Sequence, residues 1–260
     1  MLKKITILGV VLVVIGIIGG AFTFKSLLHT DTDSEEKIID EDFKAMEINA
    51  EDITVNVTST NDSDTTIKMT TQTSEYDLRT DVSADTLQVN VKHEQKKLFS
   101  FDIFDFTPKL HISIPEKEYE KMDLKTDNGI IFVTNITGDE IEATSVNGLI
   151  KMKHITSKDV MTKTENGLIK LEDVEGDIVS KTNNGKIDLL TKDLDRTVDL
   201  DTTNGAIKVI TEKEPTNATI NASVANGKLS VFGKNKAHSM IGEGENQITL
   251  TTENGMITVK

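Results

Sequence analysis

Cysteine is absent from all 260 residues, which excludes disulfide staples, thiolate metal sites, a cysteine nucleophile and a lipid anchor on an N-terminal cysteine. Tryptophan is missing too, and tyrosine occurs only as Tyr76 and Tyr119. Sugar-binding clefts rely on flat aromatic faces that bury much area at low entropic cost, so this scarcity argues against a carbohydrate-binding module. Proline occurs only three times against 16 glycines, which excludes a Pro-rich stalk or a collagen. Positive charge is in deficit: the net charge is -14 and the isoelectric point about 4.8. Phosphate backbones need a basic surface, so no nucleic-acid partner is expected.

Catalytic patterns are equally sparse. The histidines at 29, 93, 111, 154 and 238 show no His-x-x-x-His spacing. There is no Gly-x-Ser-x-Gly elbow, no phosphate-cradling glycine loop and no Gly-x-Gly-x-x-Gly. Only Arg79 and Arg196 offer a guanidinium fork to an anion. Glu172-Asp173 and Asp193 with Asp195 resemble fragments of calcium or acid-pair sites. With 43 acidic residues such clusters arise from composition, and they read as solvated surface. No catalytic residue, cofactor or metal is therefore expected.

One long apolar run is present. Lys3 and Lys4 precede an uncharged stretch over residues 5–24, and Lys25 closes it. Twenty helical residues at about 1.5 Å each span about 30 Å, the thickness of a hydrocarbon core. Residues 1–25 are expected to form a cytoplasmic tip and a transmembrane anchor, with everything beyond held outside the cytoplasm. The alternative is a cleaved signal peptide ending near Gly19-Gly20-Ala21, but the run is longer than a usual signal core. Residues 26–41 read as a solvated acidic linker.

From Phe43 the apolar period is two. Ile53, Val55 and Val57, then Leu87, Val89 and Val91, then Leu110, Ile112 and Ile114 alternate with polar residues, as half-buried strands do. Residues 42–120 thus form an N-terminal β region, with only residues 116–122 able to make a helical turn or two. Within it Phe99, Phe101, Phe104 and Phe106 crowd into eight residues. They form either a loop folded over the core or an exposed apolar tip that meets a partner.

Residues 121–260 carry a repeat. Asn-Gly recurs at Asn128-Gly129, Asn147-Gly148, Asn166-Gly167, Asn184-Gly185, Asn204-Gly205, Asn226-Gly227 and Asn254-Gly255, spaced by 19, 19, 18, 20, 22 and 28 residues. Two residues before each Asn stands Thr126, Ser145, Thr164, Thr182, Thr202, Val224 or Thr252. Two after each Gly stands Ile131, Ile150, Ile169, Ile187, Ile207, Leu229 or Ile257. Each unit is too short to bury its own apolar face, so neighbours must stack. Gly, and less readily Asn, tolerates positive φ, so the pair marks a corner. Two architectures satisfy this: a β-solenoid with one repeat per coil, or an antiparallel hairpin array with Asn-Gly in type I′ turns. The solenoid better explains why equivalent positions keep one residue type. The widening final spacings suggest loops or a cap.

The motifs Thr164-Glu-Asn-Gly-Leu-Ile169 and Thr252-Glu-Asn-Gly-Met-Ile257 resemble those of DUF4097, a bacterial family of candidate adhesins. The layout of anchor and repeat body is similar to that of LiaG-type envelope proteins. The resemblance covers residues 43–260 and implies an all-β, solenoid-like fold linked to envelope stress, with no catalytic residues to carry over. The expected function is a non-catalytic, membrane-anchored, extracytoplasmic scaffold or adhesin-like binding protein. Its partners are the membrane, through the N-terminal helix, and an unidentified envelope protein or polymer. The alternative is a β-solenoid enzyme acting on wall or acidic polysaccharide.

Overall fold

A computed structural model describes residues 33–72, 76–93 and 107–260. The apolar run at 5–24 and Phe99, Phe101, Phe104 and Phe106 lie outside the described residues. Among the described residues no helix is long and apolar enough to cross a membrane.

Their regular structure is strand throughout: β1 (Asp33–Ile39), β2 (Ala45–Ala50), β3 (Thr54–Thr60), β4 (Thr65–Thr71), β5 (Tyr76–Ser83), β6 (Thr86–His93), β7 (Lys109–Pro115), β8 (Glu118–Thr191), β9 (Val198–Thr211), β10 (Ala218–Val231), β11 (His238–Ile241) and β12 (Asn246–Val259). The 74-residue β8 is an extended path that bends repeatedly. Burial shows where. Ile178, Ser180 and Thr182 point inward at even positions, then Ile187 and Leu189 at odd ones, so the chain turns at Asn184-Gly185. Each coil therefore has a first run before Asn-Gly and a second run after it, and the inner sides of both fill one core.

The coils stack in parallel and in register. Thr182, Asn184, Gly185 and Ile187 of β8 lie against Thr202, Asn204, Gly205 and Ile207 of β9. β9 lies likewise against β12, and β12 against β10. This overturns the antiparallel hairpin array. Type I′ turns need positive φ at both central residues, and no Asn of the seven pairs has it. Glycine is required here for another reason. A Cβ on Gly167 would lie 1.8 Å from the Gly148 carbonyl oxygen, and one on Gly185 equally close to that of Gly167. Three corner glycines, Gly148, Gly205 and Gly227, also have positive φ (153°, 158° and 151°), as does Asp52 at 53°, and the second bend carries Asn135, His154 and Asp173 at 58°, 52° and 51°.

The N-terminal β region is part of the same stack. β2 and β3 pair in parallel with residues 121–126 and 130–134 of β8, so residues 45–60 form a further coil with Asp52 at its corner. β6 and β7 add the next coil outward. β4, β5 and β1 then close this end in antiparallel fashion. Two readings change accordingly. β1 runs through the segment expected to be a solvated linker. Its side chains are mostly exposed, and backbone pairing to β4 holds it, so apolar alternation gave no signal. Residues 118–122 are strand, not helical turn. Tyr119 and Met122 are buried at a helix-like spacing of three because the chain bends between them.

The opposite end is also rearranged. β12, the last strand, lies between β9 and β10, so the coil order departs from chain order. The wide final spacings are the connections this insertion needs. β10 is the terminal coil, with β11 antiparallel on part of its edge.

Beneath the corners runs a column of buried hydroxyls. Thr164 and Thr252 reach corner carbonyls of the neighbouring coil at 3.4 Å. Thr126, Ser145, Thr182 and Thr202 have no partner among the described residues.

Replacing Gly167 with Ala is expected to destabilise the fold by about 3 kcal/mol, the upper end of overpacking costs, because backbone and not a flexible side chain stands in the way. Glu165→Gln, on an exposed side chain one residue from the corner, is expected to leave the melting temperature nearly unchanged. Thermal unfolding followed by circular dichroism checks both.

Candidate binding surface

Stacked corners bring the repeat asparagines into one ladder. The Nδ2 of Asn147 donates to Asn128 Oδ1 at 2.7 Å, Asn166 to Asn147 at 2.8 Å, Asn184 to Asn166 at 2.9 Å and Asn204 to Asn184 at 2.9 Å. Asn254 then donates to Asn204 at 2.9 Å and Asn226 to Asn254 at 3.0 Å. At the other end Asn128 donates to Asp52 Oδ1 at 2.6 Å. Eight corners at about 4.8 Å per coil make an edge about 34 Å long. All fourteen Asn and Gly positions read from the sequence thus lie in one column. Asp52 extends it and was missed, because Ile53 stands where the glycine would mark the repeat.

The outward faces of the two runs differ in charge. On the first run Asp123, Glu142, Glu165, Asp199 and Asp201 outnumber Lys125, Lys163 and Lys181. On the second run Lys151, Lys153, Lys170, Lys186, Lys208 and Lys228 face only Glu172 and Asp188. A chain of net charge -14 therefore presents one lysine-rich face. Glu172 sits between Lys153 at 2.8 Å and Lys170 at 3.5 Å, and Lys186 pairs with Asp188 at 2.7 Å. The hydrogen bond from Lys153 holds the Glu172 carboxyl below the ordinary range, and the same bond raises the Lys153 ammonium. Lys151, Lys208 and Lys228 have no ion-pair partner within 4.0 Å among the described residues. Half-buried Ile130, Phe132, Leu149 and Leu168 lie on the same face. These lysines fall one, three or five positions after a repeat Gly, a spacing the sequence carries beside that of the inward residues.

Other candidates resolve into structure. Arg196 is pinned by donating to Val174 O at 2.7 Å and Asp193 O at 2.9 Å, with the Asp193 carboxylate at 3.3 Å. Arg79 pairs with Asp77 at 2.6 Å. The Glu172-Asp173 pair is split, since Glu172 takes lysines and Asp173 meets His154 at 3.3 Å. Among the described residues no group of three or more His, Asp or Glu is placed to hold a metal ion.

A family profile described as Toastrack DUF4097 matches residues 43–176 and again 131–260. The chain belongs to the DUF4097 family. The two overlapping matches fit a domain built of one repeated coil. Solved structures similar to this DUF4097 chain include a candidate cell adhesion protein from Clostridium sporogenes, at 16% identity over 88% of this chain and 99% of that one, with a TM-score of 0.40. A candidate adhesin from Bacteroides fragilis matches at 11% identity over 88% and 97%, with a TM-score of 0.47. A candidate lipid binding protein from Parabacteroides distasonis matches at 14% over 89% and 98%, with a TM-score of 0.44. No curated protein matches the chain.

The ladder predicts a pH-dependent defect. In Asn166→Asp the ionised carboxylate cannot donate to Asn147 Oδ1, so stability falls by roughly 1 kcal/mol, the net worth of one hydrogen bond. Once protonated, the introduced carboxyl donates again. The stability gap between variant and wild type is therefore expected to narrow as pH drops below about 4, the usual aspartate range. Parallel urea titrations at pH 7 and pH 3.5 measure it.

Proposed function

We propose that this DUF4097 chain is a non-catalytic binding body, anchored in the cell membrane by residues 5–24 and displayed outside the cytoplasm. Its lysine-bearing face lies along an acidic envelope polymer. The observation that carries this reading is the sorting of charge between the two faces. A chain with so large an acidic excess has no need of a lysine-rich face for solubility. The segregation gives one face an electrostatic preference that the molecule as a whole lacks.

Magnitudes favour the local field. The two runs of each coil lie about 10 Å apart across the core, before side chains are added. The Debye length at physiological ionic strength is about 8 Å, so a polymer on the lysine face is largely screened from the acidic face. Ammonium groups repeated along a column suit phosphate or carboxylate repeated along a chain. The half-buried Ile130, Leu149 and Leu168 give lysine stems an apolar bed to lie on. A repetitive face of this kind suits extended contact, which is the physical requirement for a scaffold or adhesin. The envelope-stress link implied by the similar layout of LiaG-type proteins belongs to the same proposal.

Binding of the full chain, kept in detergent, to a purified wall polyphosphodiester tests the reading. Affinity is expected to fall steeply with added salt. The double change Lys151→Glu and Lys208→Glu should weaken it at least tenfold, while Lys163→Glu and Lys181→Glu on the opposite face leave it within twofold. Equal losses from both pairs would refute a face-specific site. Location is tested separately: protease added to cells stripped of their wall should degrade the body and spare a cytoplasmic control. Protection until lysis overturns the topology.

A further inference from the structure

Every interior corner of the stack is closed on both sides, and the column has a direction. Each Asn Nδ2 donates to the corner before it. Each Gly carbonyl oxygen lies against the Cα of the next glycine, from Gly129 to Gly148 and onward to Gly255 and then Gly227. The column ends at Asn226-Gly227. Asn226 donates to Asn254 at 3.0 Å, and among the described residues nothing donates to its Oδ1.

The backbone there is open as well. β11 covers only Ala218 to Asn221, Ala222 N–H donates to Ala237 O, and Val231 pairs with Lys234. Between Ser223 and Ser230 the outer edge of β10 has no backbone partner among the described residues. A groove of about 850 Å³ opens along it, with Ala222, Val224 and Leu229 on its wall. In the adjacent coil the matching Thr252 and Ile257 are at most 1% exposed, whereas Val224 and Leu229 are only half-buried. The other end of the stack is closed by β1 and β5, where Asp33, Glu35, Glu36 and Lys37 of β1 and Asp77, Arg79 and Asp81 of β5 guard the edges with charge. No such guard lies along Ser223 to Ser230, where Lys228 is the one charged residue.

We propose that this edge accepts one more coil in trans: an extended segment of a partner polypeptide, running parallel to β10. The fold's own rules set its chemistry. A side-chain amide is needed opposite Asn226 to donate to the open Oδ1. Glycine is needed opposite Gly227, because at each stacked interior corner a Cβ falls between 1.6 and 2.1 Å from the neighbouring carbonyl oxygen. Aliphatic or small residues are needed at the alternate positions that face Val224 and Leu229. Strand addition of this kind gains affinity from main-chain bonds and specificity from alternate side chains. A second copy of this chain does not meet these needs. Its open end presents the same Oδ1 acceptor at Asn226, and its other end is closed, so it offers no further Asn-Gly corner to lie on Gly227. The site shares only Lys228 with the lysine face and stands or falls without that face.

A dye-labelled peptide with the sequence of residues 160–171 serves as probe, titrated into the full chain in detergent and read by fluorescence anisotropy. Saturable binding is expected, and the peptide forms Gly167→Val and Asn166→Asp should each bind at least tenfold more weakly. In the chain, Val224→Asp should weaken the parent peptide at least tenfold with the melting temperature held. Should that variant lose stability, hydrogen exchange on the unchanged chain decides: amides between residues 223 and 230 gain protection only when peptide is present. Equal binding of the glycine and valine peptides, no binding at millimolar peptide, or protection elsewhere overturns the proposal. Protection of those amides without peptide, rising with protein concentration, would assign the edge to a second copy and overturn it too.

Discussion

Along the Asn-Gly column the coils of this protein can approach one another only because the corner carries no Cβ. Backbone pairing fixes the rise of the stack near 4.8 Å. At the corner the glycine carbonyl turns along the stack axis and meets the next glycine, leaving its missing Cβ as little as 1.6 Å away. No side chain fits that space. The same spacing lets a primary amide on the preceding residue bridge to its neighbour above, which is why asparagine accompanies the glycine. Once corner is locked on corner, the register of both runs follows. A slip of one residue would turn every inward isoleucine to solvent. The columns of Ile187, Ile207 and Ile257 are thus consequences of the corner.

A constraint between neighbours says nothing about chain order. Each corner needs only another such corner above and below, and β12 satisfies this between β9 and β10. The consequence is mechanical. In a stacked-repeat protein the terminal coil lacks one neighbour and frays first. Here the last residues are interior: Lys260 N–H donates to Val209 O at 3.1 Å, and Lys260 O accepts from Thr211 at 2.9 Å. The coil that lacks a neighbour is β10, whose exit chain runs on through β11 into β12.

Much of this was legible in sequence, and the failures have physical causes. The inward columns and the corner positions could be read because each is a local pattern repeated seven times. The reason for the glycines was legible in part: Gly148, Gly205 and Gly227 have positive φ, whereas Gly167 and Gly185 do not and are required by close approach. Asn-Gly signals a type I′ turn in hairpins, yet the hairpin turn with positive φ at both central residues is Ala84-Asp85, at 48° and 59°. Close approach depends on a neighbour some twenty residues away, which no local statistic contains. The insertion of β12 was illegible for a related reason: Asn254-Gly255 fits against Asn204-Gly205 as well as Asn226-Gly227 does. β1 was invisible because backbone pairing, not apolar burial, places it. The lysine face was in the sequence all along, at positions whose outward direction made them look like ordinary solvated surface.

That face also bears on why net charge is a poor guide to partners here. The total of -14 sums two populations held apart by a largely apolar core, and the field at one surface is set mainly by the nearer one. The stack makes the separation systematic. Alternation sends every second residue outward, and parallel register places equivalent outward residues in columns. A bias of one lysine per repeat therefore becomes a row of ammonium groups, as with Lys151, Lys170 and Lys208, interrupted by Asp188. Like charges so placed repel one another, since neighbouring coils stand about 5 Å apart. Glu172 relieves part of this by bridging Lys153 and Lys170. Lys151 and Lys208 lack an ion pair among the described residues, so their charge is left uncompensated in a row whose spacing the backbone has already fixed.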